Sequence, residues 1–164
     1  MEIRLAAEKD LGGRMVLARE AAADFPGMDM AEHREAVLGF MRRGEAVCAA
    51  ENEKIIGGLL FSAESSAICF LAVNPNFRRQ HIAEKMLRYA LKFMSAERDI
   101  SVTTYRDSVA EGAAARAFYK RMGFEEGRLC EEFGCPVQEF ILPHCKTGEN
   151  EVKYSENEFQ GAQK

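Results

Sequence analysis

The sequence LAVNPNFRRQHIAEKML (residues 71–87) passes from an apolar run through a short basic loop into a helical pattern. This order predicts a strand, a loop and a helix that begins just after the loop. The first backbone N–H groups of a helix have no partner within the helix and carry partial positive charge, so a loop that gathers them attracts a polyanion. Arg78 and Arg79 add positive side chains. The stretch therefore predicts a phosphate-binding loop.

Length and composition limit the kind of protein. The chain has 164 residues, of which 47% are hydrophobic and 29% charged, as in a globular protein with one core. Its net charge of −4 argues against broad binding to nucleic acid or to anionic membranes. No apolar run approaches the roughly 20 residues of a membrane span. We expect a cytoplasmic protein that binds neither membrane nor nucleic acid.

The cysteines and histidines do not form a metal-binding pattern. The five cysteines lack C-x-x-C spacing, which favours reduced thiols over a disulfide or zinc framework. A disulfide between Cys130 and Cys135 is the alternative, if the two residues face each other across a strand pair. His33 and His144 show no ligand spacing with other residues. We expect no metal.

Hydrophobic periodicity gives the order of elements along the chain. Strands are predicted at residues 2–6, 45–50, 54–62, 67–73, 99–105, 127–133 and 137–142. Helices are predicted at residues 8–23, 30–43, 82–94 and 112–122. A polar turn at 51–53 closes a hairpin, and the wholly apolar run 67–73 predicts a strand buried on both faces. The domain is predicted to cover residues 1–143, followed by a polar, flexible tail over 144–164.

The basic loop resembles the acyl-CoA pyrophosphate loop of the GCN5-related N-acetyltransferase (GNAT) superfamily. The family motif runs Arg/Gln-x-x-Gly-x-Gly/Ala; Arg78 takes its first position and Ala83 its last. His81 stands where the family usually has glycine, a residue that permits close backbone approach and unusual dihedral angles. The backbone N–H of His81 remains available if its φ is ordinary, and a cationic imidazole would add a phosphate contact.

A second resemblance lies in GAAARAFYKRMGF (residues 112–124), which is similar to the family's Asn-x-x-Ala-x-x-x-Tyr-x-x-x-Gly-Phe helix. Gly112 takes the asparagine position, so a contact from an amide side chain at the helix start is missing. Together the two motifs imply the family's α/β (α+β) fold. This fold is a mixed, mostly antiparallel sheet of about six to seven strands, flanked by about four helices.

The resemblance also implies an activity, which is transfer of an acetyl group from acetyl-CoA to an amine by direct attack in a ternary complex. Tyr119 is the implied acid for the departing thiolate, although a tyrosine at a helix end often serves only packing. A main-chain N–H near Val73 would bind the thioester carbonyl oxygen. The implied contacts to acetyl-CoA are Leu71, Ala72, Val73, Arg78, Arg79, Gln80, His81, Ile82, Ala83 and Phe118.

Three parts of this interpretation stay open. Glu64, Asp107 and Glu111 are possible bases for the amine, as is a chain of water molecules. The acceptor, a small-molecule or peptide amine, is expected against the first two helices and the last two strands, where Asp24 or Glu131 would favour a cationic group. The alternative function is a non-catalytic domain of the same fold that binds or senses CoA, and the protein could be a monomer or a homodimer.

Overall fold

A computed structural model describes residues 1–132 and 134–144. The strands are β1 (Glu2–Leu5), β2 (Ala46–Glu51), β3 (Lys54–Ser62), β4 (Ala67–Val73), β5 (Ile100–Tyr105), β6 (Glu125–Glu132) and β7 (Cys135–Leu142). The helices are α1 (Leu11–Glu20), α2 (Met30–Arg42), α3 (Ile82–Leu91) and α4 (Ala113–Arg121). In this described part the chain thus has a seven-stranded, mostly antiparallel sheet with four helices. The predicted fold class is confirmed.

The chain divides into two compact units, Met1–Phe93 and the residues from Met94 onwards. The expected single domain over residues 1–143 remains a prediction. Residues 145–164, which make up nearly all of the predicted tail, lie outside the described residues. None of the described helices is long and apolar enough to cross a membrane.

In the first unit, β1 to β4 pair in sequence order, each antiparallel to the next. The predicted hairpin between β2 and β3 is confirmed, because Glu51 pairs with Lys54 across a two-residue turn. Both turn residues, Asn52 and Glu53, have positive φ, of 50° and 65°. Such angles at both central positions match the twist of the flanking strands.

Helices cover both faces of this sheet. The helical stripe predicted after the basic loop is buried at every position, namely Ile82, Met86, Leu87, Ala90, Leu91 and Met94. Helix α3 packs on β3, since a Cβ added at Gly57 would come within 2.8 Å of Met86 Cε. On the other side, Leu17 of α1 and Val37 and Met41 of α2 share a core cluster with residues of β2 and β3. The basic loop therefore leads into a helix that is firmly anchored.

Strand β4 differs from its prediction. Only Ile68 and Ala72 are buried, whereas Cys69 is exposed, so burial on both faces is wrong. The register explains the difference, because Phe70 pairs with Leu60 whereas Ile68 pairs with Phe61, which leaves Cys69 as an extra residue. Such a bulge interrupts the ladder and bends the strand. Its apolar side chains are thus partly accessible as the strand approaches the loop.

In the second unit, β7 pairs antiparallel with both β5 and β6. Helix α4 ends before Gly123, whose φ of 95° suits a glycine stop. Cys130 lies opposite Val137 and Cys135 lies opposite Glu132, so the two thiols do not face each other. Both are free, which excludes the disulfide considered between them.

Candidate active site

The end of β4 is fixed by Asn74, a residue to which the sequence interpretation gave no role. Asn74 is 0% exposed, and its backbone N–H donates to Ile56 O at 2.8 Å. Its side-chain Oδ1 accepts from Asn76 N at 2.9 Å, and its Nδ2 donates to Glu20 Oε2 at 2.5 Å. Asparagine commonly closes such turns by bonding the backbone two residues on, so the sequence did carry this signal. Asn74 therefore sets the direction in which the chain leaves the strand.

The loop then reaches α3 through two residues in the left-handed region. Arg79 has a φ of 61°, and His81, directly before α3, has φ 59° and ψ 22°. The φ of His81 is therefore not the ordinary negative one that the sequence interpretation set as a condition. The motif's glycine position keeps a glycine-like backbone here, and histidine is among the residues enriched in this region.

This conformation aims backbone donors at one place. A left-handed residue followed by a helical one turns successive N–H groups inward, which forms an anion-binding concavity. No side chain caps the N-terminus of α3, so its first-turn N–H groups are not occupied by a capping residue. The ten-residue helix adds its positive dipole end at the same point. The loop thus has the backbone geometry of an anion-binding concavity, and its binding of phosphate stays a prediction.

The loop's side chains lie at the surface, where a ligand can reach them. Arg78, Arg79, Gln80 and His81 are all exposed. Arg78 forms an ion pair with the carboxylate of Asp24, which follows α1. His81 Nδ1 lies 3.3 Å from Glu84 Oε2. Asp24, expected to favour a cationic acceptor, is thus engaged by the loop itself.

Glu84, in the first turn of α3, places a negative charge close to the concavity. Its Oε1 accepts from Arg88 at 2.9 Å. Partial burial acts in the opposite direction, but the hydrogen bonds from Arg88 and His81 hold the pKa of Glu84 below its usual value. The carboxylate is therefore ionised at neutral pH, and the guanidinium of Arg88 balances its charge.

The remaining candidates of the first unit flank the loop. Leu71, Ala72 and Val73 pair with Leu59, Gly58 and Gly57 of β3. Leu71 and Val73 are half-buried, and Ala72 is buried. At the start of α3, Ile82 is buried and Ala83 is half-buried. Nine of the ten predicted contacts to acetyl-CoA therefore belong to one continuous strand, loop and helix start.

The tenth contact, Phe118, and the candidate acid Tyr119 lie on α4 in the second unit. Tyr119 is 6% exposed, and its ring centroid lies 5.2 Å from that of Phe118 and 5.3 Å from that of Phe124. Burial raises the pKa of Tyr119 above its ordinary value near 10, so the phenol is protonated at neutral pH. This environment fits both a packing role and a role as a hydrogen-bond donor.

A polar network that sequence reasoning missed holds α4 in place. Arg116, 6% exposed, donates to Tyr105 O at 3.0 Å, to Gln138 Oε1 at 2.7 Å and to Glu126 Oε1 at 2.7 Å. Gln138 in turn donates to Gly127 O at 3.1 Å. One side chain of α4 thus bonds residues of β5, β6 and β7, which fixes the helix that carries Tyr119.

The structure also explains why residue 112 is a glycine. It caps α4 without a side-chain hydrogen bond, as expected from the missing amide. Its φ of −89° is ordinary, but an added Cβ would lie 2.3 Å from Tyr105 Cβ. Glycine stands here because Tyr105 occupies the space that a side chain would need.

None of the three candidate bases is buried. Glu64, Asp107 and Glu111 are all exposed. Across residues 1–132 and 134–144, no three His, Cys, Asp or Glu side chains cluster in a way that could hold a metal ion.

A family model for the acetyltransferase (GNAT) domain matches residues 42–126, slightly more than half of the chain. The matched range contains both motifs described above. The chain belongs to the GNAT family. This GNAT protein has no significant match among curated protein sequences.

Several solved structures share the GNAT fold with it. A GNAT-family acetyltransferase from Bacillus cereus is 20% identical, with a TM-score of 0.67 over 87% of this chain and 96% of that one. The PaiA N-acetyltransferase from Thermoplasma acidophilum, solved with coenzyme A, is 19% identical, with a TM-score of 0.63 over 84% and 96%. The ribosomal-protein-S18-alanine N-acetyltransferase from Escherichia coli is 18% identical, with a TM-score of 0.66 over 87% and 92%. At these identities the likeness concerns the fold.

Proposed function

We propose that this GNAT protein is an acetyl-CoA-dependent N-acetyltransferase that acetylates an amine in a ternary complex. The observation that carries the proposal is the left-handed His81 directly before the uncapped start of α3. The chain adopts a glycine-like backbone at the motif's glycine position although the residue there is histidine. An ordinary strand-to-helix connection has no need of this conformation, which is unfavourable for most residues.

The loop residues Arg78 to Ala83 would hold the pyrophosphate of acetyl-CoA through backbone N–H groups and basic side chains. Arg78 exchanges its Asp24 partner for phosphate when the ligand binds. Leu71, Ala72 and Val73 would lie along the pantetheine arm, with a main-chain N–H near Val73 bonding the thioester carbonyl oxygen. Bound acetyl-CoA supplies the activated acetyl group.

In the transfer, the amine nitrogen attacks the thioester carbonyl carbon, the C–S bond breaks, and the sulfur leaves as a thiolate while the nitrogen loses a proton to water. Tyr119 would donate a hydrogen bond to that sulfur. Because the phenol pKa lies above that of a thiol, near 8.5, the proton stays mainly on the tyrosine oxygen. The role that suits this residue is stabilisation of the thiolate until solvent protonates it.

A non-catalytic CoA-binding domain is the second candidate, and the packing of Tyr119 among aromatic rings is the observation that favours it. The two candidates differ in one measurement. With acetyl-CoA and a broad panel of amines, an acetyltransferase releases free CoA thiol, which a thiol reagent detects. Protection of the protein against melting by CoA, without thiol release on any amine, would support the binding domain and contradict the enzyme.

The structure of the loop gives a matched pair of variants for the CoA site. Arg79→Ala removes an exposed loop charge, whereas Arg98→Ala removes a surface charge between α3 and β5. We expect only Arg79→Ala to raise the KM for acetyl-CoA. Equal effects of the two variants would contradict the placement of the pyrophosphate at this loop. Cytoplasmic location and the monomeric or dimeric state remain predictions.

A further inference from the structure

Arg14 of α1 is a buried charge whose terminal nitrogens have no hydrogen-bond partner in the part of the chain that the structure describes. It is 1% exposed, and neither Nη1 nor Nη2 has a hydrogen-bond partner among the described residues. Burial lowers the pKa of Arg14 to about 10, which still leaves the guanidinium charged at neutral pH. An unpaired buried charge is strongly unfavourable, so a guanidinium kept in this state fits a site for an anion.

The guanidinium is held in one position by its neighbours. A Cβ added at Gly58 of β3 would lie 2.2 Å from Arg14 Nε and 2.5 Å from Cζ, so the group lies against bare backbone. Its Cζ is 4.6 Å from the centroid of the Phe70 ring on β4. Arg14 is thus oriented by contacts that leave its two terminal nitrogens unused.

A second unpartnered polar atom lies beside the same ring. His33 of α2 places its own ring 4.8 Å from that of Phe70, and its buried Nε2 has no hydrogen-bond partner among the described residues. Burial and then the charge of Arg14 lower the pKa of His33 to about 4, so the imidazole is neutral near pH 7. A neutral imidazole can carry its proton on Nε2 and donate it to an acceptor.

Two aromatic side chains, Phe25 and Phe70, belong to the same cluster as these two groups. Phe25, in the connection between α1 and α2, stacks on Phe70 with ring centroids 4.6 Å apart. Phe25, His33 and Phe70 are each only partly buried, so the cluster reaches the surface at these side chains, while the unpartnered nitrogens of Arg14 and His33 lie beneath it. A few polar donors among aromatic rings are the usual composition of a small-molecule site.

We infer that Arg14 and His33 bind the carboxylate of the acceptor, so that the acceptor is an amine that also carries a carboxylate, such as an amino acid. This inference rests on the proposed acetyltransferase function. A guanidinium matches the fork of a carboxylate. One cation beside a neutral imidazole and aromatic walls suits a monoanion better than a phosphate dianion. The acceptor's apolar part lies against Phe25 and Phe70.

The first test compares amines that differ only in the carboxylate. Thiol release is measured with phenylalanine and phenethylamine, tyrosine and tyramine, lysine and cadaverine, and arginine and agmatine, at saturating acetyl-CoA. In at least one pair we expect the amino acid to have a kcat/KM about 100-fold higher, since a buried charged donor left unpaired strongly disfavours the analogue. Equal or better use of the decarboxylated amines throughout would overturn the inference.

The second test uses Arg14→Met, which keeps the length of the side chain and removes its charge. If Arg14 binds the acceptor, the variant melts at the same temperature as the wild-type protein or at a higher one, yet it loses the preference for amino acids over decarboxylated amines. A purely structural Arg14 would give a lower melting temperature with the preference unchanged. Arg42→Met is the matched control, since Arg42 is exposed and pairs with Glu8 on the surface.

Ligand binding separates this inference from the proposed function. The melting temperature of the wild-type protein is measured with CoA plus each amino acid, each decarboxylated amine, or inorganic phosphate. Protection by an amino acid that Arg14→Met or His33→Phe abolishes supports the carboxylate site, even if no thiol is released and the enzyme proposal fails. Thiol release with decarboxylated amines alone would support the acetyltransferase and overturn the carboxylate site. Protection by phosphate only, or by none of these probes, overturns the carboxylate site.

Discussion

At the scale of single residues, His81 shows how a motif can change its residue and keep its backbone. The φ of 59° gives the loop the shape that glycine usually provides. Histidine tolerates this region better than branched residues do, and its imidazole can add to the charge of the loop. Substitutions at residue 81 can therefore separate the effect of backbone conformation from the effect of side-chain chemistry.

We expect His81→Gly to change the free energy of unfolding by less than about 1 kcal/mol, because glycine adopts the same φ but gains freedom in the unfolded chain. His81→Val should lower it by about 1–2 kcal/mol, since a branched side chain is strained at positive φ. Urea unfolding of both variants measures these effects. If valine proves as stable as histidine, the left-handed conformation at this position is wrong.

Tyr119→Phe removes only the hydroxyl of a residue packed among aromatic rings. We expect kcat to fall by about tenfold to 100-fold, while the KM for acetyl-CoA changes little, because the role proposed for the hydroxyl concerns the leaving sulfur and not the bound pyrophosphate. Tyr89→Phe, on α3, is the matched control. A Tyr119→Phe enzyme with unchanged kcat would leave the residue with a packing role alone.

At the scale of elements, the features that depend only on residues near one another in the sequence were predicted best. The bounds of β3 and β4 and the buried stripe of α3 follow from patterns within each segment. The bulge at Cys69 could not be predicted in this way, since it depends on the register against β3. The pairing of Gly112 with Tyr105 likewise joins two segments that meet only in the folded chain.

Gly112→Ala tests that contact at the start of α4. The added methyl group would lie 2.3 Å from Tyr105 Cβ, so we expect the free energy of unfolding to fall by about 1–3 kcal/mol. Gly12→Ala in α1 is the control, because nothing lies within 4 Å of its added Cβ and alanine favours a helix by roughly 0.5–1 kcal/mol. Chemical unfolding of both variants gives the comparison; a Gly112→Ala protein as stable as Gly12→Ala would contradict the close approach.

At the scale of the whole molecule, buried ionisable groups make stability depend on pH. The pKa of His33 is about 4 in the folded protein and about 6.5 in the unfolded chain. Between these values the unfolded chain binds more protons. The stability from His33 is therefore complete above pH 6.5 and is lost as the pH falls towards 4.

The His33→Phe variant should lack this dependence. We expect the free energy of unfolding of the wild-type protein to fall relative to the variant between pH 6.5 and 4, by at most about 1.4 kcal/mol per pH unit. Urea unfolding at several pH values measures the difference. Parallel pH profiles of the two proteins would show that His33 titrates normally in the folded state.

The candidate site could be predicted only where its residues are consecutive. The sequence identified the loop from Arg78 to Ala83, because charge and helical pattern are local signals. It gave no role to Asn74 and none to Arg14, whose significance depends on burial and on the bare surface at Gly58. Nothing in a linear pattern distinguishes a buried arginine from an exposed one on the same helix.

The adjacent glycines of β3 let neighbouring side chains approach the backbone of this strand closely on both of its faces. Side chains of α3 approach it at Gly57 and those of α1 at Gly58, from opposite faces. A side chain at residue 57 would meet the flexible end of Met86 at 2.8 Å and Ile82 Cγ2 at 3.1 Å, whereas one at residue 58 would meet the inner atoms of Arg14 at 2.2–2.9 Å. A residue larger than glycine at position 57 therefore requires Met86 and Ile82 to shift by a few tenths of an ångström, but at position 58 it requires the arginine to leave its place.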